Sequence, residues 1–282
     1  MNKKQLEEKI AFSVLTVTML LVVVPTLLII GYIIFKGIGT INWEFISAMP
    51  RKGMREGGIF PAIVGTIYLV LGTIILALPL GIGSAIYLTE YAKQGKITRL
   101  IRLAIMNLAG VPSVVYGLFG LGLFVLFLQI GTSILAGALT LACLILPVVI
   151  TASEEALKSV PQSYREASLA LGATKWQTIQ KVVIPHAMPG IITGAILGIG
   201  RAAGETAPIL LTVAAFFLPR LPKSVFDQAM VLPYHLYIIS TQVPNMPQEI
   251  QYGTALVLLG LVSIFFMIAT VIRIKFKMAN RA

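Results

Sequence analysis

The sequence predicts an all-α polytopic membrane protein of six transmembrane helices, and composition and segment length carry the prediction. Apolar residues make up 57% of the 282-residue chain and the mean hydropathy is +0.91, while only 12% of residues are charged. A soluble chain of this length could not cover its surface with so few charges. Six apolar segments, at 10–35, 62–89, 103–129, 134–153, 189–217 and 252–272, each reach the ~20 residues that a bilayer core requires.

The first block is too long for a cleaved signal peptide and lacks a small-residue cleavage pattern, so it is expected to stay as an anchor. The second carries Pro79. The stretch 103–153 contains no Asp, Glu, Lys or Arg; it is expected to fold as two spans with a tight turn at Gly131-Thr132-Ser133, since one helix would overshoot the membrane. Prolines at 25, 79, 112, 147 and 208 each leave an upstream carbonyl without its usual donor. The exterior segments 36–61 and 218–251 are rich in proline and aromatics, which suggests shaped docking surfaces.

Orientation follows from Lys and Arg. One side gathers Lys3, Lys4 and Lys9; Lys93, Lys96, Arg99 and Arg102; Lys158, Arg165, Lys175 and Lys181; and the basic C-terminal stretch from Arg273. The other holds Lys36, Arg51, Lys52 and Arg55, then Arg220 and Lys223. Both termini are therefore expected in the cytoplasm of a prokaryotic cell. The expected organisation is a cytoplasmic tail at 1–9, a single transmembrane domain at 10–272 with a cytoplasmic loop at 154–186, and a tail at 273–282. The net charge of +11 is a product of this topology and no sign of nucleic-acid binding. Cys143 is alone, and His186 and His235 are far apart, so neither a disulfide framework nor a zinc site is expected, and no cofactor. There is no Gly-x-x-x-x-Gly-Lys-[Ser/Thr] loop, so the chain is not itself an ATPase.

The loop 154–186 is a charged island between apolar blocks. Local rules make it two short helices. The first stops at Gly172, which tolerates the left-handed conformation of a helix end. The second starts at Thr174, with Gln177 completing a capping box, and is expected to end at Pro185. Tyr164, Ala167 and Leu171, then Trp176, Ile179 and Val183, give each helix an apolar face. The arrangement resembles the EAA loop of permease subunits of ATP-binding-cassette importers. Glu166-Ala167-Ser168, Gly172 and Val182-Val183-Ile184-Pro185 stand at the family's spacing, with Ser168, Val182 and Ile184 as conservative departures. The resemblance implies that Glu166, Ala167, Ser168, Gly172, Val182, Ile184 and Pro185 couple to a separate ATPase.

In the fifth span Arg201 and Glu205 are the charges. Arg201 lies about a dozen residues in, or ~18 Å, close to the bilayer middle, where a charge must face protein or water. Gly190, Gly194 and Gly198 recur every fourth residue, a stripe that lets another helix approach. At ~100° per residue these glycines, Arg201 and Glu205 fall within about 80°, so the pair points into the bundle. The spacing leaves two readings open: an i, i+4 pair that ties the helix to a neighbour, or a guanidinium that meets a passing oxyanion bidentately.

The runs Gly57-Gly58-Ile59, Pro79-Leu80-Gly81-Ile82, Tyr87-Leu88-x-Glu90-Tyr91, Ala109 to Gly120 and Arg201 to Pro208 resemble the PstA-type permeases of phosphate importers. That resemblance implies the MetI-like fold and a pathway shared with a homologous PstC-like permease. It also implies a PstB-like ATPase dimer, an extracytoplasmic PstS-like phosphate-binding protein, and Arg201 with Glu205 on the substrate pathway. The alternatives are a PstC-type sister subunit, a permease for sulfate or molybdate, an ion-coupled secondary transporter gated by Arg201–Glu205, and a membrane-embedded hydrolase. The hydrolase would need a nucleophile with a base inside the spans; Ser113 and Tyr116 have no such partner in sequence.

Overall fold

An apolar run satisfies its own backbone as a helix until glycine and proline interrupt it, and this explains most of the architecture. The structure, a computed structural model, describes residues 3–279; Met1, Asn2 and the tail residues 280–282 lie outside the described residues. Helix α1 spans Lys3–Gly37. After a 3-10 turn at Ile38–Thr40 comes the short α2, Trp43–Ser47, whose Asn42 cap accepts from Phe45 N. Strands β1 (Pro50–Arg51) and β2 (Glu56–Gly57) then form an antiparallel hairpin with Pro50 opposite Gly57. Helix α3, Phe60–Ile86, ends in a π-helical turn, Tyr87–Tyr91.

The third expected span, 103–129, is not one straight helix. Helix α4 spans Lys96–Ala109 and α5 spans Ser113–Gly120, extended by a π-helical segment Leu121–Phe127; the two axes differ by 102°. Gly110 and Pro112 explain the break, because a proline shortly after a glycine can neither continue a helix nor accept helical geometry before it. Helix α6, Ile134–Lys158, follows, with the Ser133 side chain accepting from Ala136 N.

Helices α7 (Gln162–Ala170) and α8 (Lys175–Thr178) form the expected pair. The second does not end at Pro185. It runs through a π-helical turn, Ile179–Val183, into α9, Ile184–Gly204. The wider turn lets Ile184 N bond to Ile179 O, so the proline ring enters at the start of a new helical register.

The fifth expected span, 189–217, also differs, because the helix stops at Gly204. A four-residue α10, Ala207–Leu210, follows with Pro208 in its first turn, where a missing N–H costs nothing. The expected orphan carbonyl opposite Pro208 inside a continuous helix therefore does not arise. The chain then folds over the start of α6: Ser133 N donates to Thr212 O, Ile134 N to Asp227 O and Leu135 N to Val225 O. These bonds satisfy the first donors of α6, which a helix cannot pair internally. Helix α11 spans Leu232–Thr241 and α12 spans Gln248–Ala279. Among the described residues five helices are long and apolar enough to cross a membrane, six if the bent pair α4–α5 counts as one span.

Helix α6 is the centre. Two thirds of its apolar window, 67%, is buried, against none for α1 and α12. Leu141, Leu144 and Ile145 of α6 pack with Leu69 and Ala77 of α3, Tyr116 of α5, Ala202 of α9 and Ile209 of α10. Helices α1 and α12 pair at the edge, Tyr32 edge-on to Tyr252. At the end of the bundle that carries the hairpin, the segments after α1 and α10 pack on each other: Phe45, Met54 and Ile59 join Leu232, Ile238 and Met246. Arg55 Nη2 donates to Pro244 O across this contact. Arg51 pairs with Glu44 and Lys52 with Glu56, so these two cations have local carboxylate partners.

Candidate functional site

Two places hold the residues singled out above, one at an end of the bundle and one at its mid-depth. At the end, α7 and α8 form a projecting knob. Helix α7 closes as sequence rules require: Gly172 takes φ +84°, Gly172 N donates to Leu169 O and Ala173 N to Ser168 O. Thr174 Oγ1 then accepts from Gln177 N while the Gln177 side chain accepts from Thr174 N. Ser168 and Thr178 share a hydroxyl–hydroxyl bond of 2.9 Å between the two helices.

The expected apolar faces divide. Ile179 and Val183 are buried, but Tyr164, Leu171 and Trp176 are exposed, Leu171 by 89%. The reason is geometric: Leu171 sits at the tip of the turn, where no helix among the described residues covers it. Glu166, Ala167 and Gly172 share this exposed surface, whereas Ser168, Val182, Ile184 and Pro185 are half-buried at its base. The coupling set is therefore split between the tip of the knob and its hinge to α9.

Several charges that sequence reading left without a role secure the knob. Arg165 Nη2 lies 2.8 Å from Glu90 Oε1, Nη1 donates to Val160 O, and Nη2 also donates to Leu157 O. Nearby, Glu154 sits 2.8 Å from Arg102 and 3.1 Å from Lys158. Lys175 stands 4.8 Å from the centre of the Tyr91 ring. The available signal was complementary charge in the loops 90–102 and 154–186, which the topology puts at one end. Pairing those charges needed the tertiary fold.

At mid-depth the glycine stripe sets the geometry. A Cβ on Gly190 would lie 2.5 Å from that of Ala156, and one on Gly194 would lie 2.4 Å from that of Ala152. Gly198 faces Val149 and Ile145 at 3.3–3.4 Å. Helices α9 and α6 thus run antiparallel in close contact, and Arg201, less than a turn beyond Gly198, falls beside the middle of α6. The helix that carries Arg201 differs from the expected span: it begins further back, at Lys175, and ends just past the arginine.

Glu205 is not on that helix. It is the residue after the last helical one, with extended φ −72° and ψ 136°, and turns back to put Oε1 3.3 Å from Arg201 Nε. Arg201, in the last turn, sits near the negative end of the helix dipole, which favours a cation there. Its side chain is 33% exposed and that of Glu205 is 16% exposed. One face of the guanidinium is held and another is open. Tyr116 lies within electrostatic reach of Arg201 and donates its hydroxyl to Leu108 O across the break between α4 and α5. A Cβ on Gly117 would meet Pro208 Cα at 2.9 Å. The two runs at 109–120 and 201–208, far apart in sequence, are therefore one structural unit around the arginine.

With this geometry in place, comparison with known proteins is informative. Residues 77–277 match the family model described as "Binding-protein-dependent transport system inner membrane component". The chain is 35% identical over 274 residues to the probable ABC transporter permease protein YqgI of Bacillus subtilis, covering 92% of each. It is 34% identical over 276 residues to the phosphate transport system permease protein PstA 1 of Mycobacterium tuberculosis, covering 96% of this chain and 90% of the relative. Its fold matches a chain of a bacterial ABC transporter involved in alginate import, with a TM-score of 0.68 over 96% and 99% of the two chains at 14% identity. It also matches a chain of the inward-facing MetNI methionine ABC transporter, with a TM-score of 0.58 over 78% and 94% at 16% identity.

Proposed function

We propose that this chain, which belongs to the binding-protein-dependent transport system inner membrane component family, is the PstA-type permease subunit of an ATP-driven importer of inorganic phosphate. It is a multi-pass inner-membrane protein of the MetI-like fold. The observation that carries the phosphate reading is Arg201: a guanidinium beside the middle of the central helix, held by one carboxylate and a third exposed. A planar fork of donors suits a tetrahedral oxyanion. The single carboxylate at 3.3 Å keeps the arginine aimed without saturating it. That suits brief contact with a passing anion rather than storage. The 34% identity to a phosphate permease over nearly the whole chain supports the same substrate.

Both termini and the knob face the cytoplasm in this reading, because the basic loops 90–102 and 154–186 lie at the knob end. An ATPase dimer engages the exposed surface of Glu166, Ala167, Leu171 and Gly172, while a homologous PstC-like subunit completes the pathway. The opposite face, built from the hairpin, α2 and α11, receives a PstS-like phosphate-binding protein. Closure of the ATPase around nucleotide moves the knob, and α9, continuous with it, carries the motion to Arg201.

Liposomes test this. Radiolabelled phosphate should enter vesicles holding this chain, the sister permease and the ATPase only when ATP and binding protein are supplied. Uptake by this polypeptide alone, driven by an ion gradient, would sink the reading in favour of a secondary transporter.

A further inference from the structure

We propose that Arg165 and Glu90 form a clasp that makes the knob one rigid body with α3 and α6, so that a push on the knob becomes a lever stroke and not local bending. The inference rests on reading the knob as the part that the ATPase moves.

The knob joins the bundle covalently at two places: the link 159–161 brings the chain from α6 into α7, and the continuous helix from Lys175 to Gly204 leads out of it. The link is non-helical and can flex, and a push along the helix alone would slide α9 over α6, where the contact is small-residue: glycines 190 and 194 lie against Ala156 and Ala152. Elsewhere a cleft of about 780 Å³ separates the knob from the ends of α3 and α6, with Thr89, Glu90, Lys158, Val160 and Arg165 among its lining. Neither covalent route leads to α3, so force between the knob and that helix passes through side chains. Arg165 reaches across the cleft.

That one guanidinium meets two elements besides its own. Nε and Nη2 donate to Glu90 Oε1 at 3.3 and 2.8 Å, in the π-helical turn that ends α3. Nη2 also donates to Leu157 O at 2.9 Å, in the last turn of α6, and Nη1 to Val160 O at 2.6 Å just beyond it. The last carbonyls of a helix need such donors, and the dipole there favours a cation. Both side chains are nearly buried, with 13% and 9% exposure. Water and salt therefore weaken the pair far less than an exposed one. Lys175 over the Tyr91 ring ties the second helix of the knob to the same turn, and the Ser168–Thr178 bond joins the two helices. A lysine at 165 could meet Glu90 but could not span both carbonyls with a rigid fork.

The experiment uses the reconstituted full complex and reads phosphate transported per ATP hydrolysed. Arg165→Ala and Glu90→Gln should each lower this ratio at least tenfold while co-purification of the ATPase and basal hydrolysis persist; Arg165→Lys should fall in between. A merely structural role is separated by repair. In a Cys143→Ser background, Glu90→Cys with Arg165→Cys should be uncoupled as prepared and should recover coupling when the two thiols are joined by a short bismaleimide. Wild-type coupling in Arg165→Ala would overturn the clasp, and so would a cross-linked pair no better coupled than the uncross-linked one. Should Arg165→Ala not assemble, the cross-linking comparison decides alone. The function reading fails separately, if the wild-type complex moves phosphate without ATP.

Discussion

Arg201 is a cation at half the depth of the bundle, and Glu205 is its ion-pair partner among the described residues. A pair kept only for packing would be replaceable; a guanidinium that meets the substrate would not. Arg201→Ala should therefore lower phosphate uptake at least ~10-fold, the equivalent of ~1.4 kcal/mol of lost interaction, with complex assembly unchanged by size-exclusion chromatography. Normal uptake in that variant would return the pair to a structural role. His235 is a different case. It is buried on α11 with neither ring nitrogen meeting a protein partner, and burial pushes its pKa from 6.5 down to about 4. The folded state then binds fewer protons than the unfolded one. The stability this group contributes is fully present above pH 6.5 and is lost progressively as pH falls from there to about 4, by ~3 kcal/mol in total. Thermal melts in detergent at pH 7 and pH 4.5 should show this drop, and His235→Phe should flatten it. An equal drop in wild type and variant would assign the acid sensitivity elsewhere.

At the scale of elements, the knob was readable because its signals are local. A glycine helix end, a capping box and a fixed spacing depend on neighbours within a few residues, and Gly172 and Thr174 behave as those rules require. The breaks at Gly110–Pro112 and at Gly204 had equally local signals, yet hydropathy alone merges the segments on either side into single spans. Pro185 misled in the opposite direction, because a π-helical turn admits a proline that an ideal α-helix would not. The knob also makes a prediction. At Gly172 nothing lies within 4 Å of an added Cβ, but φ is +84°, so Gly172→Val is strained by backbone conformation and not by space. That strain, ~1–2 kcal/mol, is relieved by reshaping the turn, which displaces Leu171 and the exposed tip. Binding-protein-stimulated ATPase activity should fall sharply while the melting temperature stays near wild type. Retained stimulation would remove the tip from the coupling surface.

For the whole molecule, the unequal burial of its helices defines what it can be alone. Helix α6 is enclosed, whereas the face of α5 that carries Val114, Leu118 and the following Phe127 is exposed by half or more. The open side of Arg201 likewise needs a second wall to make a pathway. Purification in mild detergent should therefore bring down a homologous permease and an ATPase with this chain, identified by mass spectrometry. A chain recovered alone, or paired only with itself, would contradict the heteromeric assembly.

Composition, periodicity and charge bias were enough to determine a helical membrane protein, the turn between the knob helices at Gly172 and Thr174, and the glycine stripe. Each of these depends on free-energy terms that act locally or sum along the chain: transfer of apolar residues, capping of helix ends, and the excess of cations in particular loops. The tertiary fold alone decided where α9 stops, that Glu205 turns back from beyond the helix, and that residues 109–120 pack against 201–208. It also decided that Arg165 reaches Glu90, 75 positions away in sequence. Such long-range pairings follow from which surfaces lie together once the helices have packed, and no spacing along the chain encodes that proximity.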